Sequence, residues 1–277
     1  MAFRFRKTRG VPQIGTPRPA SLDAPEGEDL EDDGARKMSF LDHLDELRRR
    51  LVAAALSLAF GTLVAIFFID RIFTFIMRPL YDKLPPGSKL IYTEPTEAFM
   101  LKVKIALLAG VVIGAPLILW QLWLFVAPGL YAHEKRFAGP FILMATVFFV
   151  GGTAFNHYVV FPLAWVFLAS FSTDYMMFMP RIAPVFSLYA MMLLAMGVVF
   201  EMPAVILVMA RMGLVTAGFL WRNVKYAILI IFIAAAVITP TGDMVTQSLM
   251  AGPMVGLYFL SIGLAWMFGK KRRKAEE

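Results

Sequence analysis

Six long apolar runs alternate with short polar or proline-rich segments along this chain, and the pattern predicts six membrane-spanning helices. The runs cover about residues 51–69, 99–126, 137–161, 183–210, 226–239 and 244–268. A helix crossing the ~30 Å hydrocarbon layer needs about 20 residues. The fifth run has only 14, and the sixth opens on Thr246, Gln247 and Ser248, which shortens its apolar part. Short neighbouring spans imply local thinning of the bilayer. The period-two alternation of a membrane barrel is absent.

The connections carry their own signals. Residues 71–96 form a long loop with the turn Pro85-Pro86-Gly87-Ser88, and 72–80 within it reads as a short interfacial helix. Lys102 and Lys104, in the first turns of the second span, must lie near water or snorkel to it. Gly110 and Gly114 make a small-xxx-small pair suited to close helix packing. Pro162 marks a kink or exit of the third span, and 163–181 reads as a partly helical loop.

Just before the first run, Phe40, Leu44, Leu47 and Leu51 recur at helical spacing. Ser39 and Asp42 read as a capping box that starts this helix. Its acids (Asp42, Asp45, Glu46) precede its bases (Arg48, Arg49, Arg50), the order the helix dipole favours.

Composition sharpens the class. The chain has 277 residues, 59% of them hydrophobic, against about 45–50% in soluble domains. It has no cysteine, so disulfides, thiol nucleophiles and cysteine metal sites are excluded. The net charge of +7 does not point to nucleic acid, because the bases gather at helix ends, where they set topology. Six spans place both termini on one side. That side carries Arg48–Arg50, Lys135, Arg136, Arg211, Arg222, Lys225 and the basic run 270–274, against Arg71, Arg78, Lys83, Lys89, Lys102, Lys104 and Arg181 on the other. The excess places both termini in the cytoplasm. Residues 1–37 have a basic start, an acidic second part and no apolar core of a signal peptide, and read as a disordered tail. Residues 38–268 form the membrane domain and 269–277 a basic tail.

Three carboxylates stand out. Glu46 sits just outside the lipid, where it is either an i,i+4 partner for Arg50 or an acceptor for a cationic peptide. Glu134 follows His133, but Phe137 stands where H-E-x-x-H requires its second histidine, so zinc chemistry fails. It is either a loop acid balanced by Lys135 and Arg136 or a second carboxylate on the face of Glu46. Glu201 lies inside the fourth span beside Pro203, where a charge costs several kcal/mol unless paired, hydrated or protonated, and intramembrane acids of this kind are usually functional. Asp243, after Thr239-Pro-Thr-Gly, reads as an N-cap for the sixth helix. Asn156, His157 and Gln121 suit packing or interface roles.

The ordered set His43-Leu-x-Glu-Leu-Arg-x-Arg-Leu51, Pro79-Leu80, Phe125-x-Ala-Pro-Gly-Leu-Tyr-x-x-Glu-Lys-Arg136, Phe200-Glu-x-Pro203 and Thr239-Pro-x-x-Asp243 resembles the TatC family, the multispanning subunit of the twin-arginine protein translocase. The resemblance covers about residues 38–268. It implies a cupped, concave six-helix bundle in the bacterial cytoplasmic (inner) membrane, and a receptor for folded proteins whose signal peptides carry paired arginines. It places Glu46, Glu134, Arg48 and Phe125 in the signal-peptide site, makes Glu201 the family's intramembrane acid, and matches Pro79 and Asp243 to its outer positions. It further implies the single-span subunits TatB and TatA as partners, self-association in a larger complex, and drive by the proton-motive force. Two carboxylates suit this task, because guanidinium forks bind them in bidentate fashion where lysine presents one compact charge. The chain departs from many members in having Thr241-Gly242 where a second proline is common.

Two other classes compete. A proton- or ion-coupled solute transporter would centre on Glu201, but internal repeats and a second intramembrane acid are lacking. An intramembrane protease would need Gly-x-Ser-Gly, H-E-x-x-H or paired aspartates, none of which occurs. Without these or a nucleotide-binding motif the chain reads as a non-enzyme with no cofactor and no metal.

Overall fold

The structure, a computed structural model, describes residues 28–84, 88–126, 138–173, 178–239 and 242–269, with side chains of the first helix described from Leu44 onward. Among these residues the fold is all-helical. The helices are α1 (Glu28–Phe67), α2 (Ile69–Tyr81), α3 (Glu97–Val126), α4 (Ala138–Phe155), α5 (Phe161–Ala169), α6 (Ile182–Phe200), α7 (Met202–Arg211), α8 (Ala217–Arg222), α9 (Val224–Ile238) and α10 (Met244–Phe268). Five stretches are long and apolar enough to cross a membrane: Leu44–Phe67, Glu97–Phe125, Gly139–Ala169, Ile182–Arg211 and Met244–Phe268. The shorter apolar helix α9, Val224–Ile238, takes the place of the fifth span. One unit ends at Asp45 and the other begins at Glu46; the packing below belongs to the second.

Two sequence expectations change. The backbone is helical from Glu28, upstream of Ser39, so a capping box at Ser39 and Asp42 does not start α1. Pro162 is not an exit from the third span, because the helix continues through it to Ala169. A π-helical turn, Asn156–Val160, separates α4 from α5, and the Phe161 N–H reaches back to the Asn156 carbonyl. A proline has no N–H to give the preceding turn, and this widened turn directly before Pro162 accommodates the loss within a continuous helix.

Close backbone approach holds α1 against α3. A side chain at Gly61 would strike the Gly110 carbonyl, and one at Gly114 would lie 2.9 Å from the Ser57 carbonyl oxygen. In a membrane, where burial supplies little drive between helices, such small-residue contacts carry the packing. The same device joins α4 to α6, where a side chain at Gly152 would meet the Met196 carbonyl and the Phe200 ring. The main core gathers Leu80, Ile105, Phe161, Trp165, Tyr189, Met192, Met196 and Met250, from α2, α3, α5, α6 and α10. Trp165 donates its indole N–H to the Leu80 carbonyl at 3.2 Å, which ties α5 to α2.

The entry to α10 is built as the spacing predicts. Gly242 takes a φ of 63°, a conformation closed to proline, whose φ is locked negative. Asp243 follows as N-cap, and its Oδ1 accepts from the Thr246 N–H at 2.6 Å. Asp243→Ala should lower stability by about 1 kcal/mol and raise amide exchange in the first turn of α10, as hydrogen-exchange mass spectrometry would read.

Candidate functional site

Glu46 is the third residue of the first membrane-length stretch, Leu44–Phe67, and its side chain is 31% exposed. It accepts from Arg50 at 3.4 Å across one helical turn, the local pair that the i,i+4 spacing predicts. Such a pair between part-exposed groups is worth about 0.3–0.5 kcal/mol, so a stronger cation can displace it. Arg48 is exposed on the same helix. Phe125, in the last turn of α3, is half-buried. Glu134 and its neighbours His133, Lys135 and Arg136 lie outside the described residues.

Glu201 occupies the break between α6 and α7. It closes α6 as C-cap and opens α7 as N-cap. Pro203, at the start of α7, cannot continue the ladder, so one apolar run becomes two helices with an acid at the joint. Among the described residues its buried Oε1 has no hydrogen-bond partner. Gln121 of α3 likewise holds a buried Oε1 with no partner among the described residues.

At the opposite end of the bundle is an ionic clamp that local sequence reading missed. Glu97 is 8% exposed. Its Oε2 accepts from the Thr93 N–H at 2.9 Å and its Oε1 from the Ala183 N–H at 3.2 Å. Arg181 stands 3.7 Å from both Glu97 and Glu94. Beside them, the Ile91 N–H donates to the Pro180 carbonyl at 3.1 Å and the Ile182 N–H to the Ile91 carbonyl at 2.9 Å. The loop before α3 and the segment before α6 are thereby fastened together. The local signal was present, an acid in the first turn of a helix, but its partner Ala183 lies 86 residues away. Nearby, Lys102 donates to Asp70 at 2.9 Å, which meets the expectation of a lysine kept near water. Pro79 lies inside α2. His157 is buried, hydrogen-bonded to the Tyr189 hydroxyl at 2.9 Å and stacked on Phe75, a packing role.

Five membrane-length helical stretches, a short sixth and a span broken at a half-buried acid define a multi-pass helical membrane protein. The family model described as "Sec-independent protein translocase protein (TatC)" matches residues 42–253. A TatC protein of Koribacter versatilis is 40% identical over 255 residues, covering 90% of this chain and 94% of that one. One from Desulforapulum autotrophicum is 44% identical over 241 residues, covering 87% and 89%. A crystal structure of the twin-arginine translocase receptor TatC shares 36% identity at a TM-score of 0.70, covering 80% of this chain and 97% of that one. A second, in the detergent DDM, shares 35% at 0.71, covering 83% and 100%. The chain belongs to the TatC family of Sec-independent protein translocases. It is thus a transport protein rather than an enzyme, and the solute-transporter and protease readings fall away.

Proposed function

We propose that this chain is the receptor that reads paired arginines in the signal peptides of folded proteins and admits them to the translocase. The observation that carries the reading is the carboxylate of Glu46. It is part-exposed at the start of the first span and, among the described residues, held only by a weak pair to Arg50, which an incoming guanidinium can replace with bidentate geometry. Glu134, which lies in the chain between α3 and α4, supplies the second carboxylate, with Arg48 and Phe125 flanking the site. The apolar part of the signal peptide then slides between the helices toward Glu201, displaces a partner helix, and recruits further single-span subunits. TatB and TatA are those partners, and several copies of this chain gather in one complex. The chain sits in the bacterial cytoplasmic membrane with both termini inside, as the distribution of lysine and arginine supports. Pro79 and Asp243 shape its outer side. The proton-motive force drives passage.

The test is export in cells whose only TatC is this chain. A folded fluorescent reporter behind an Arg-Arg signal should reach the periplasm. A Lys-Lys signal should reduce export at least about tenfold, the loss of one strong charge-assisted bidentate contact. A protonophore should stop it. Equal export of both signals would refute the receptor reading.

A further inference from the structure

Two cavities meet at Phe75, His157 and Tyr158. The first, about 360 Å³, lies between the spans and is lined by Leu108, Val112 and Ile113 of α3, Val150 of α4 and Leu193 of α6. That volume falls within the usual ligand-pocket range of about 300–1,000 Å³. The polar groups of Thr153, His157 and Tyr189 in its lining are already engaged. The Thr153 hydroxyl donates to the Val150 carbonyl at 2.9 Å, and the His157 ring is bonded to Tyr189. The wall is therefore an apolar slot, with little to offer the polar groups of a peptide backbone. The second cavity, about 400 Å³, lies along α2, beyond the end of the first span, and is lined by Arg78, Pro79, Asp82, Lys83 and Pro162. Arg78 and Asp82 are 79% and 65% exposed and stand 3.9 Å apart, too loose a pair to occupy either group. Among the described residues that line it, two bases stand against one acid, a net positive charge.

A hydrocarbon slot opening onto a cationic pocket at the membrane surface matches one chemistry, an amphiphile with an anionic head. We infer that this paired cavity holds one anionic phospholipid, its acyl chain between α3, α4 and α6 and its phosphate against Arg78 and Lys83. The π-helical turn builds the junction, because it places buried His157 and exposed Tyr158 side by side against Phe75. The site is separate from the carboxylates proposed to read signal peptides.

The full-length chain, stripped of lipid in detergent, is titrated with phosphatidylglycerol or phosphatidylcholine, and bound lipid is counted by native mass spectrometry. One phosphatidylglycerol should bind saturably and more tightly than phosphatidylcholine. Arg78→Gln with Lys83→Gln should weaken it about fivefold per charge. Both positions are exposed, so the fold is retained. Equal binding of the two lipids, unchanged in the double variant, would overturn the proposal. A photoreactive benzoylphenylalanine at Ile113, 42% exposed at the groove, gives an independent readout in native membranes. An adduct of phospholipid mass supports the site. An adduct only with a second copy or another protein overturns it.

Discussion

Gly110→Leu should be among the most damaging single substitutions in the membrane domain. A Cβ at Gly110 would lie 2.7 Å from the backbone nitrogen of Thr62 and 2.8 Å from its Cα. These are main-chain atoms, which cannot swing aside as a flexible side chain would. Leucine must push α1 off α3, which also opens the Gly61 and Gly114 contacts along the same seam. Overpacking of a tight interior costs about 1–3 kcal/mol, sometimes more. The melting temperature of the detergent-solubilised protein should fall by roughly 5–10 °C, while Gly139→Leu, where the added atom meets nothing within 4 Å, should leave it nearly unchanged. If the two variants melt alike, the seam is not what holds α1.

The second large effect is expected at Glu97. Alanine there removes the acceptor of both the Thr93 and Ala183 N–H groups and takes away a carboxylate that Arg181 approaches. Among the described residues Glu94 alone then faces the arginine, from a more exposed position. The loop before α3 should come loose from the segment before α6. Amide exchange at Thr93, Ile182 and Ala183 should quicken at least about tenfold, as expected where local opening replaces a bonded state. Glu97→Gln, which keeps one oxygen acceptor but loses the charge, should fall between the two. Exchange confined to Thr93 would mean that the clamp does not act across the two segments.

How far the sequence reveals this molecule depends on the range of each interaction. Apolar runs and their limits are local, and they place α2, α3, α9 and α10 within a few residues. The Asp243 cap and the glycine pair at 110 and 114 are local too, and both take the roles their spacing suggests. The Glu97–Arg181 clamp joins residues far apart in the chain, so no window of sequence contains it. Pro162 shows the limit of a residue-level rule. A proline predicts an interruption, but a π turn one residue upstream absorbs the missing donor and the span runs on. At Glu201 the rule holds, because the acid and Pro203 together divide the span into α6 and α7. For the signal-peptide site, motif order carries the assignment. Glu46 and Phe125 are placed on their helices, and Glu134 lies outside the described residues.

The central claim is that Glu46 and Glu134 together read paired arginines. Its most direct test is binding of a fluorescent signal peptide to the purified chain in lipid nanodiscs, with Arg-Arg and Lys-Lys versions compared on the wild type and on Glu46→Gln with Glu134→Gln. The account predicts that Arg-Arg binds about tenfold or more tightly than Lys-Lys and that the double variant removes the preference. Equal affinity for both peptides, unaffected by the substitutions, would contradict it and move the site away from these two carboxylates.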